Sequence, residues 1–251
     1  MITHYRTSGF VIKKNDTGEH GRIFTVFAQD FGKIKVLGRA IRKIASKLKS
    51  GINVVSLSEI EFIQGKAYKT LTDAMVLEKF EGIKSNLEKL RTAYKINEPV
   101  DSLIKGEEKD EKIFSLLKKT YSRLNDLEFD SKQLRLLYFY FIWNLFYLLG
   151  YKPQLYKCAN CQKKLVLGFF YFSSKEGGVI CRACFKDDKE SRRTCPENCR
   201  RINSDVIKTL RLILKREWNT LFKLKIPPFS QKLLKDITND YYFHLLNENN
   251  N

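Results

Sequence analysis

The first 80 residues carry short apolar runs separated by turn residues, which is the pattern of a small all-β domain. Lys33 to Val36 alternates polar and apolar side chains, as a half-buried strand does. Turn signals lie at Asn15-Asp16-Thr17-Gly18 and at Asp30-Phe31-Gly32. The predicted strands are Gly9 to Lys14, Arg22 to Gln29, Lys33 to Gly38, Ile52 to Ile63 and Ala67 to Leu77. Five short strands in a segment of this length predict a closed barrel of the OB type.

Beyond Phe80 the apolar positions take up the helical period. Ser131 is the predicted N-cap of a long apolar helix, which Gly150 and Pro153 would end. The helix before it has one apolar face, made by Ile113, Leu116, Leu117, Tyr121 and Leu124. The helical period therefore predicts that a bundle of packed helices follows the barrel.

Two more helices are predicted near the end of the chain. The first is capped by Ser204 and continues to Phe222, and the second starts at Ser230, after the helix-breaking Pro227-Pro228. The sequence thus predicts an α+β chain, since strands come first and helices follow. We place an OB-fold-like domain at residues 1–80 and a helical domain at residues 81–251.

The apolar run Leu134 to Leu149 is the strongest candidate for a membrane span. It is shorter than the ~20 residues that a bilayer requires, and it contains Arg135 and Asn144. Residues Met1 to Thr7 are polar and lack the apolar core of a secretory signal. We therefore expect a buried core helix in a soluble, cytoplasmic protein without a membrane partner.

Six cysteines in a cytoplasmic chain indicate metal binding rather than disulfides. Four of them form two C-x-x-C pairs, Cys158 with Cys161 and Cys181 with Cys184. Each pair is a two-thiolate clamp, and two clamps complete the tetrahedron of one structural zinc ion. The three histidines lie far away in sequence, so the predicted site is all-sulfur. We place this zinc-ribbon-like module at residues 156–200.

Between the two pairs, Gly168 to Phe172 is strand-like and Gly177-Gly178 predicts a turn, which resembles the hairpin of a zinc ribbon. Cys195 and Cys199 form a further pair with three intervening residues. They are a competing clamp, a disulfide or two free thiols. Because their spacing differs from that of the other four cysteines, we favour residues that are not ligands.

Lysine and arginine number 46 against 28 aspartate and glutamate residues, so the formal net charge is +18. Such an excess indicates a polyanionic partner, nucleic acid above all. The segment Gly32 to Ser50 contains no acidic residue, and it has the density of cations that phosphate neutralisation requires. The candidate DNA-binding residues are Lys33, Lys35, Arg39, Arg42, Lys43, Lys47 and Lys49, with Lys163 and Lys164 beside the cysteines.

Aromatic side chains near this basic segment are candidates for stacking on bases. They are Phe24, Phe27, Phe31 and Tyr68, and a place in the barrel core is the alternative for each. A five-stranded barrel with a basic segment is typical of domains that bind single-stranded nucleic acid.

The sequence contains no phosphate-binding loop, nucleophile elbow or HExxH zinc motif, so we expect no enzymatic activity. Carboxylates such as Glu59, Glu61 and Asp73 are dispersed over predicted strands. Two alternatives stay open: a zinc-stabilised, metal-dependent nuclease or glycosylase, and a zinc-ribbon module that binds RNA.

Three segments of the first domain resemble the opening of the RecO family of bacterial DNA repair and recombination mediators. They are Thr7-Ser8-Gly9-Phe10-Val11-Ile12, then Glu19-His20-Gly21-Arg22-Ile23-Phe24-Thr25-Val26-Phe27, and Phe31-Gly32-Lys33-Ile34-Lys35-Val36 with the basic run after it. The order of elements is also similar, with a barrel, a helical domain and a four-cysteine insertion before the last helices. The loop Gly38 to Lys43 differs in detail from the family.

The resemblance implies binding of single- and double-stranded DNA and annealing of complementary strands, including strands coated by single-strand-binding protein. It implies that the chain acts with RecR, and often RecF, to help RecA load at gaps in DNA. The expected location is the bacterial cytoplasm, close to the nucleoid. Some family members lack the zinc cysteines, whereas this chain has all four.

The resemblance further implies contact with the acidic, apolar C-terminal tail of single-strand-binding protein. A receptor for such a tail needs an apolar groove with a cationic rim. On the predicted helix from Ser204 to Phe222, the rim candidates are Lys208, Arg211 and Lys215, followed by Arg216. A second candidate rim consists of Arg123, Lys132 and Arg135.

Overall fold

The computed structural model of the chain describes residues 3–44, 46–65, 67–165, 170–187 and 199–250. By its internal contacts the chain divides into two compact units, residues 1–138 and residues 139–251. This division places the helices that follow the barrel in the same unit as the barrel. The domain boundary at residue 80, where strands give way to helices, stays a prediction.

Five strands form a closed barrel in the first unit, as predicted. They are β1 (His4–Thr17), β2 (Gly21–Ala28), β3 (Gly32–Gly38), β4 (Leu57–Ile63) and β5 (Lys69–Glu78). Their order around the barrel is β1-β2-β3-β5-β4, and β4 closes it by pairing with β1. The pair β3 and β5 is parallel and all other pairs are antiparallel. This is the topology of an OB-type barrel.

The predicted boundaries of β1 and β4 were wrong. β1 begins at His4, five residues before the predicted Gly9. β1 continues through Thr17, which pairs with Gly21, so the turn begins only at Gly18, where φ is +56°. β4 begins at Leu57 rather than at Ile52, because Val55 has φ of +60° and cannot continue a strand. Asn15 to Thr17 were predicted as a turn and the residues from Ile52 as a strand, but pairing with distant residues decided where each ladder runs.

The barrel core follows the predicted alternation in β3, where Ile34 and Val36 are buried and Lys35 is exposed. Phe10 from β1 packs against Phe114 and Tyr121 of the following helices, at ring distances of 5.2 and 5.3 Å. These contacts make the barrel and the first helices one hydrophobic core, which explains why they form one compact unit.

A buried polar bridge reinforces this core. The amide of Asn97 donates to the carbonyl oxygen of Ile12, 3.1 Å away, at a bulge of β1, and its side-chain oxygen accepts from the hydroxyl of Tyr121. Burial raises the pKa of Tyr121 far above its ordinary value, so the hydroxyl remains a donor. The side chains of Asn97 and Tyr121 thereby satisfy each other inside the core.

The first-unit helices are joined by short connections. They are α1 (Leu48–Gly51), α2 (Glu81–Lys84), α3 (Leu87–Leu103), α4 (Glu111–Asp126) and the start of α5 (Ser131–Leu148). The N-cap of α5 is Asp130 rather than the predicted Ser131: its carboxylate accepts from the backbone N–H of Lys132 and Gln133, at 2.8 and 2.7 Å. The carboxylate of Asp130 is an effective acceptor for N–H groups at a helix start. The hydroxyl of Ser131 instead donates to the carboxylate of Glu88.

The second unit contains the rest of α5 and three more helices after a small β-sheet. They are α7 (Ser204–Leu214), α8 (Trp218–Lys223) and α9 (Pro228–Asn250). The predicted continuous helix from Ser204 to Phe222 was wrong, because Arg216 adopts φ of +60° and separates α7 from α8.

The predicted start points of these helices were also shifted. Asn203, not Ser204, caps α7 by accepting from the N–H of Val206, 3.1 Å away. α9 begins at Pro228, two residues before the predicted Ser230, since proline is favoured in a first helical turn. The hydroxyl of Ser230 is buried and accepts from the amide of Asn203, so it joins two helix starts.

The core of the second unit is aromatic. Trp143 of α5 stacks on Tyr241 of α9, with ring centroids 5.4 Å apart, and its indole N–H donates to the hydroxyl of Thr238 at 2.9 Å. This confirms the prediction of a buried core helix at Leu134 to Leu149. No helix in the described part of the chain is long and apolar enough to cross a membrane.

Candidate metal centre and nucleic-acid interface

A three-stranded antiparallel sheet in the second unit holds the cysteines. Its strands are β6 (Phe170–Ser173), β7 (Gly178–Cys181) and β8 (Cys199–Ile202), in the order β7-β6-β8. The β6–β7 hairpin matches the predicted one, and Gly177 turns it with φ of +59°. Residues 168 and 169 of the predicted strand lie outside the described residues. β8 was not predicted, because its residues Cys199-Arg200-Arg201-Ile202 show neither an apolar run nor alternation.

The first clamp is a compact turn. The N–H of Cys158 donates to the carbonyl of Lys163 at 2.8 Å, and the N–H of Gln162 donates back to Cys158 at 2.9 Å. The N–H of Ala159 donates to the carbonyl of Val179 on β7, which ties this turn to the hairpin. The second clamp follows directly, since β7 ends at Cys181 and Cys184 lies in α6 (Arg182–Asp187). Local turns and one strand thus bring both clamps together.

The four predicted ligands form one cluster. The sulfur atoms of Cys158, Cys161, Cys181 and Cys184 all lie within 4.8 Å of one another. Cys161 and Cys181 are 3.9 Å apart between their sulfur atoms. A zinc ion with sulfur ligands at about 2.3 Å requires an edge of about 3.8 Å in its tetrahedron. The cluster therefore has the size and the donor set for a metal ion with four thiolate ligands.

Hydrogen bonds prepare the cluster for a cation. Burial works to raise the pKa of the Cys158 thiol, but backbone N–H groups of Cys161, Cys181 and Asn160 outweigh it and hold the pKa at about 6. The N–H of Cys181 lies 3.3 Å from the sulfur of Cys158. The pKa of Cys184, in contrast, is raised by burial and by the neighbouring thiols. Without a cation, the site thus favours deprotonation of Cys158. A bound cation would also favour deprotonation of the other three cysteines.

Cys199 lies outside this cluster. It pairs with Ser173 at one end of β6, whereas Cys181 pairs with Phe170 at the other end. Cys195 is outside the described residues. Lys163 and Lys164 are exposed beside the first clamp, where they border the cluster.

The basic segment forms a loop of successive turns between β3 and α1. Six of its predicted DNA-binding residues have exposed side chains: Lys35, Arg39, Arg42, Lys43, Lys47 and Lys49. Lys33 differs, because it is half-buried and its ammonium donates to the carbonyl of Asp101. Burial lowers the pKa of Lys33. Lys33 is therefore less accessible to a phosphate than the other six, and the segment from Lys35 to Lys49 is named the basic loop after these six exposed cations.

For two of the four stacking candidates, the structure supports the alternative of a place in the barrel core. Phe24 and Phe27 are buried in the barrel, so no base reaches them. Phe31 packs against Tyr5 and Phe62, at ring distances of 5.8 and 5.4 Å, and retains partial exposure. Tyr68 is exposed at the start of β5. The alternation that marks a strand cannot tell which aromatic side chains face the core.

A cleft beside α7 collects two of the three predicted tail-binding residues. Its volume is about 380 Å³, and its cationic rim contains Arg211 and Lys215 together with Lys152, which the sequence had not indicated. Lys208 is exposed on the same helix but does not line the cleft. Apolar and aromatic side chains complete the lining: Tyr147, Pro153, Leu155, Tyr156 and Leu214.

Arg211 is held in place at this cleft. Its guanidinium donates to the carbonyl of Leu155 through two nitrogens, at 2.6 and 3.2 Å, and lies 4.5 Å from the ring centre of Tyr156. The second predicted rim is only partly assembled, since Arg135 lines a smaller cleft with Arg91 and Lys95, without Arg123 or Lys132. The α7 cleft thus matches the expected receptor better in size and in apolar lining.

Comparison with known proteins identifies the family of this chain. A family model described as "Recombination protein O C terminal" matches residues 84–250, and one described as "Recombination protein O N terminal" matches residues 1–80. The chain belongs to the RecO family. The family places it among the proteins of DNA repair and recombination, and it confirms the resemblance drawn from the first 40 residues and the cysteine spacing.

Relatives with the name "DNA repair protein RecO" span nearly the whole chain. The protein of Dehalococcoides mccartyi is 30% identical over 222 residues, which cover 88% of this chain and 83% of the relative. The protein of Roseiflexus sp. is 29% identical over 96% of this chain and 81% of its own length. The protein of Caldanaerobacter subterraneus subsp. tengcongensis is 26% identical over 94% and 90%, respectively.

In the described part of this RecO-family chain, carboxylates form no group of three or more that could share a metal ion. Among the described residues, the cysteine cluster is the one group of three or more His, Cys, Asp and Glu side chains with ligand atoms close enough to share an ion. Glu61 is engaged by His4 at 2.6 Å and by Thr72 at 3.3 Å. The described residues thus offer no carboxylate cluster of the kind that a metal-dependent nuclease uses.

Proposed function

We propose that this RecO-family chain is a non-enzymatic mediator that binds single- and double-stranded DNA and anneals complementary strands. With RecR, and with RecF where it takes part, it would help RecA load onto DNA coated by single-strand-binding protein. The setting would be the bacterial cytoplasm, near the nucleoid. The family supports the repair role, and the basic loop supports the DNA-binding step.

The exposed cations of the basic loop are the observation that carries this proposal. Within the described residues, the ion pairs of this loop are limited to Arg42 with Asp16, at 3.7 Å. The other five cations are therefore available to phosphates, and each phosphate contact releases counterions. The loop lies on an OB-type barrel, a scaffold that presents single strands along its surface.

We further propose that the cysteine cluster holds one zinc ion with a structural role. Four thiolates fill a tetrahedral shell and leave no position for water, so the ion would fold the module rather than catalyse a reaction. Lys163 and Lys164 would offset part of its negative charge and add to the DNA-binding surface.

Strand annealing tests the proposed function. Complementary fluorescent oligonucleotides are mixed with the wild-type chain, either bare or coated with single-strand-binding protein, and duplex formation is followed over time. We expect duplex to form faster than without the chain in both cases, because cation-rich proteins screen the repulsion between two strands. A spontaneous annealing rate on both substrates would contradict the proposal, and cleavage of labelled DNA with magnesium would replace it by the nuclease alternative.

The α7 cleft is our proposed receptor for the acidic tail of single-strand-binding protein. Tyr147 and Leu214 would take the apolar side chains of the tail. Lys152 and Lys215 would take its terminal carboxylate and acidic groups, since charge-assisted hydrogen bonds to carboxylates are strong. Arg211 would support the apolar lining and the cationic rim, because its guanidinium lies over Tyr156 and holds the backbone at Leu155.

Charge reversal at this rim gives a sharp prediction. We expect Lys215→Glu combined with Lys152→Glu to weaken binding of a labelled tail peptide at least about tenfold, as rim charges act on a carboxylate at close range. Fluorescence anisotropy measures the affinity. The matched control is Lys208→Glu, on the same helix but outside the cleft, and it should bind normally. An equal loss of affinity in the control would show that the tail binds outside the α7 cleft. Absence of binding by the wild type would show that the tail is not a ligand of this chain.

A further inference from the structure

Ile44 lies in the basic loop and is 100% exposed, whereas no other large apolar residue in the described part of the chain is exposed beyond 66%. Ile41, three residues earlier, is only 2% exposed. A single exposed isoleucine is ordinary on a protein surface and carries no inference by itself. A role for Ile44 in binding requires an ordered loop and neighbouring groups that indicate a ligand.

The loop is anchored by its backbone and by Ile41. The N–H of Arg42 donates to the carbonyl of His20, and the N–H of Lys43 donates to the carbonyl of Ala40, both at 3.1 Å. A Cβ atom on Gly38 would lie 3.0 Å from the side chain of Ile41, so Ile41 packs tightly against the end of β3. This anchor fixes the base of the loop.

A further hydrogen bond closes a turn around Ile44, from the N–H of Ser46 to the carbonyl of Lys43, at 3.1 Å. Ile44 lies between the two residues that this hydrogen bond joins, and it is fully exposed. Turn positions usually carry Gly, Pro, Asn, Asp or Ser, and a β-branched apolar residue has no conformational advantage there. Local backbone structure therefore does not account for an isoleucine at this position.

The neighbours of Ile44 define what it can bind. Arg42, Lys43 and Lys47 are exposed on either side of it, so any ligand must offer negative charge next to an apolar surface. Single-stranded DNA offers both, since phosphates alternate with unpaired bases whose faces are apolar. In a duplex the same faces are covered by stacking, and a side chain reaches them only after neighbouring base pairs separate.

We propose that Ile44 is an apolar wedge that inserts between adjacent unpaired bases while the surrounding cations hold the phosphates. This inference rests on the proposed DNA-binding function and adds a role for one side chain. The wedge unstacks the strand locally and favours single-stranded over double-stranded DNA. A strand held with its bases apart is also a strand in which those bases are free to meet a complement.

Fluorescence of 2-aminopurine tests the wedge, because stacking on neighbouring bases quenches this base analogue. A short strand of adenines with a central 2-aminopurine is saturated with protein at low salt, and its affinity is measured in parallel by anisotropy. We expect the wild type to raise the fluorescence. Ile44→Ala should abolish most of this rise and weaken single-strand affinity by about threefold to tenfold, and duplex affinity should not change. Ile44→Lys, which adds a cation, should also lose the rise while keeping or improving affinity.

Two controls make the outcomes distinguishable. Leu87→Ala removes an exposed aliphatic side chain on α3 and should leave both signals intact. Lys43→Ala should weaken affinity but retain the fluorescence rise at saturation. If the wild type binds no DNA, the proposed function itself fails. If it binds without a rise, or if Ile44→Ala or Ile44→Lys keeps the rise, the wedge is overturned. Loss of binding to anionic phosphatidylglycerol vesicles in Ile44→Ala, with unchanged DNA signals, would also overturn it in favour of a membrane contact.

Discussion

Replacing Cys158 or Cys181 with serine is expected to abolish metal binding and to unfold the sheet β6-β7-β8. The two residues belong to different clamps, and Cys158 is completely buried at the point where both clamps meet. Removing one ligand leaves three cysteines and an incomplete tetrahedron, so the ion that would join the two clamps is no longer held. Structural zinc contributes on the order of 10 kcal/mol of apparent free energy in small zinc domains, so the small sheet should not persist without it.

Metal content and local folding measure this effect. Elemental analysis of purified protein should find one zinc ion per wild-type chain and none in either variant, and limited proteolysis should cut the variants first within residues 156–200. Zinc affinity should also fall on acidification, because protons compete with the ion for the thiolates. The matched control is Cys199→Ser, since Cys199 lies outside the cluster. Full zinc in Cys181→Ser, with loss in Cys199→Ser, would show that the wrong cysteines were chosen.

Neutralising the basic loop is expected to have the largest effect on DNA binding. The variant Arg39→Ala, Arg42→Ala and Lys43→Ala removes three exposed cations from one surface. If each neutralises one phosphate, the slope of log affinity against log salt should become shallower by about 2 for single strands. At low salt the affinity should fall on the order of tenfold to a hundredfold, and about equally for different sequences, because phosphates carry no sequence information.

A charge-matched control separates this local effect from net charge. Lys223→Ala, Lys225→Ala and Lys232→Ala remove three exposed lysines near α8 and α9 and should leave the slope close to that of the wild type. Titrations at several salt concentrations give both slopes. An unchanged slope in the basic-loop variant would move the DNA-binding surface to Lys163 and Lys164, or to Arg192 and Arg193, which lie outside the described residues.

The sequence by itself determined the elements whose signals are local. Strand-like runs with turn residues predicted the barrel, and the spacing of two C-x-x-C pairs predicted the cluster that Cys158 and Cys184 complete. A clamp needs only a tight turn between its two cysteines, and residues near in sequence supply that turn. The apolar run of α5 was read correctly for the same reason, since its composition already excludes an exposed helix.

Tertiary structure alone decided which side of each element faces outward and where the elements end. Phe24 and Phe27 are buried in the barrel, whereas Tyr68 is exposed. Lys33 donates to the carbonyl of Asp101, whereas Lys35 is exposed. Ile41 and Ile44 are identical residues in one loop, yet only packing against Gly38 makes the first an anchor. The burial of each side chain depends on residues that are distant in sequence. A periodic pattern does not show which distant residues will pack against it.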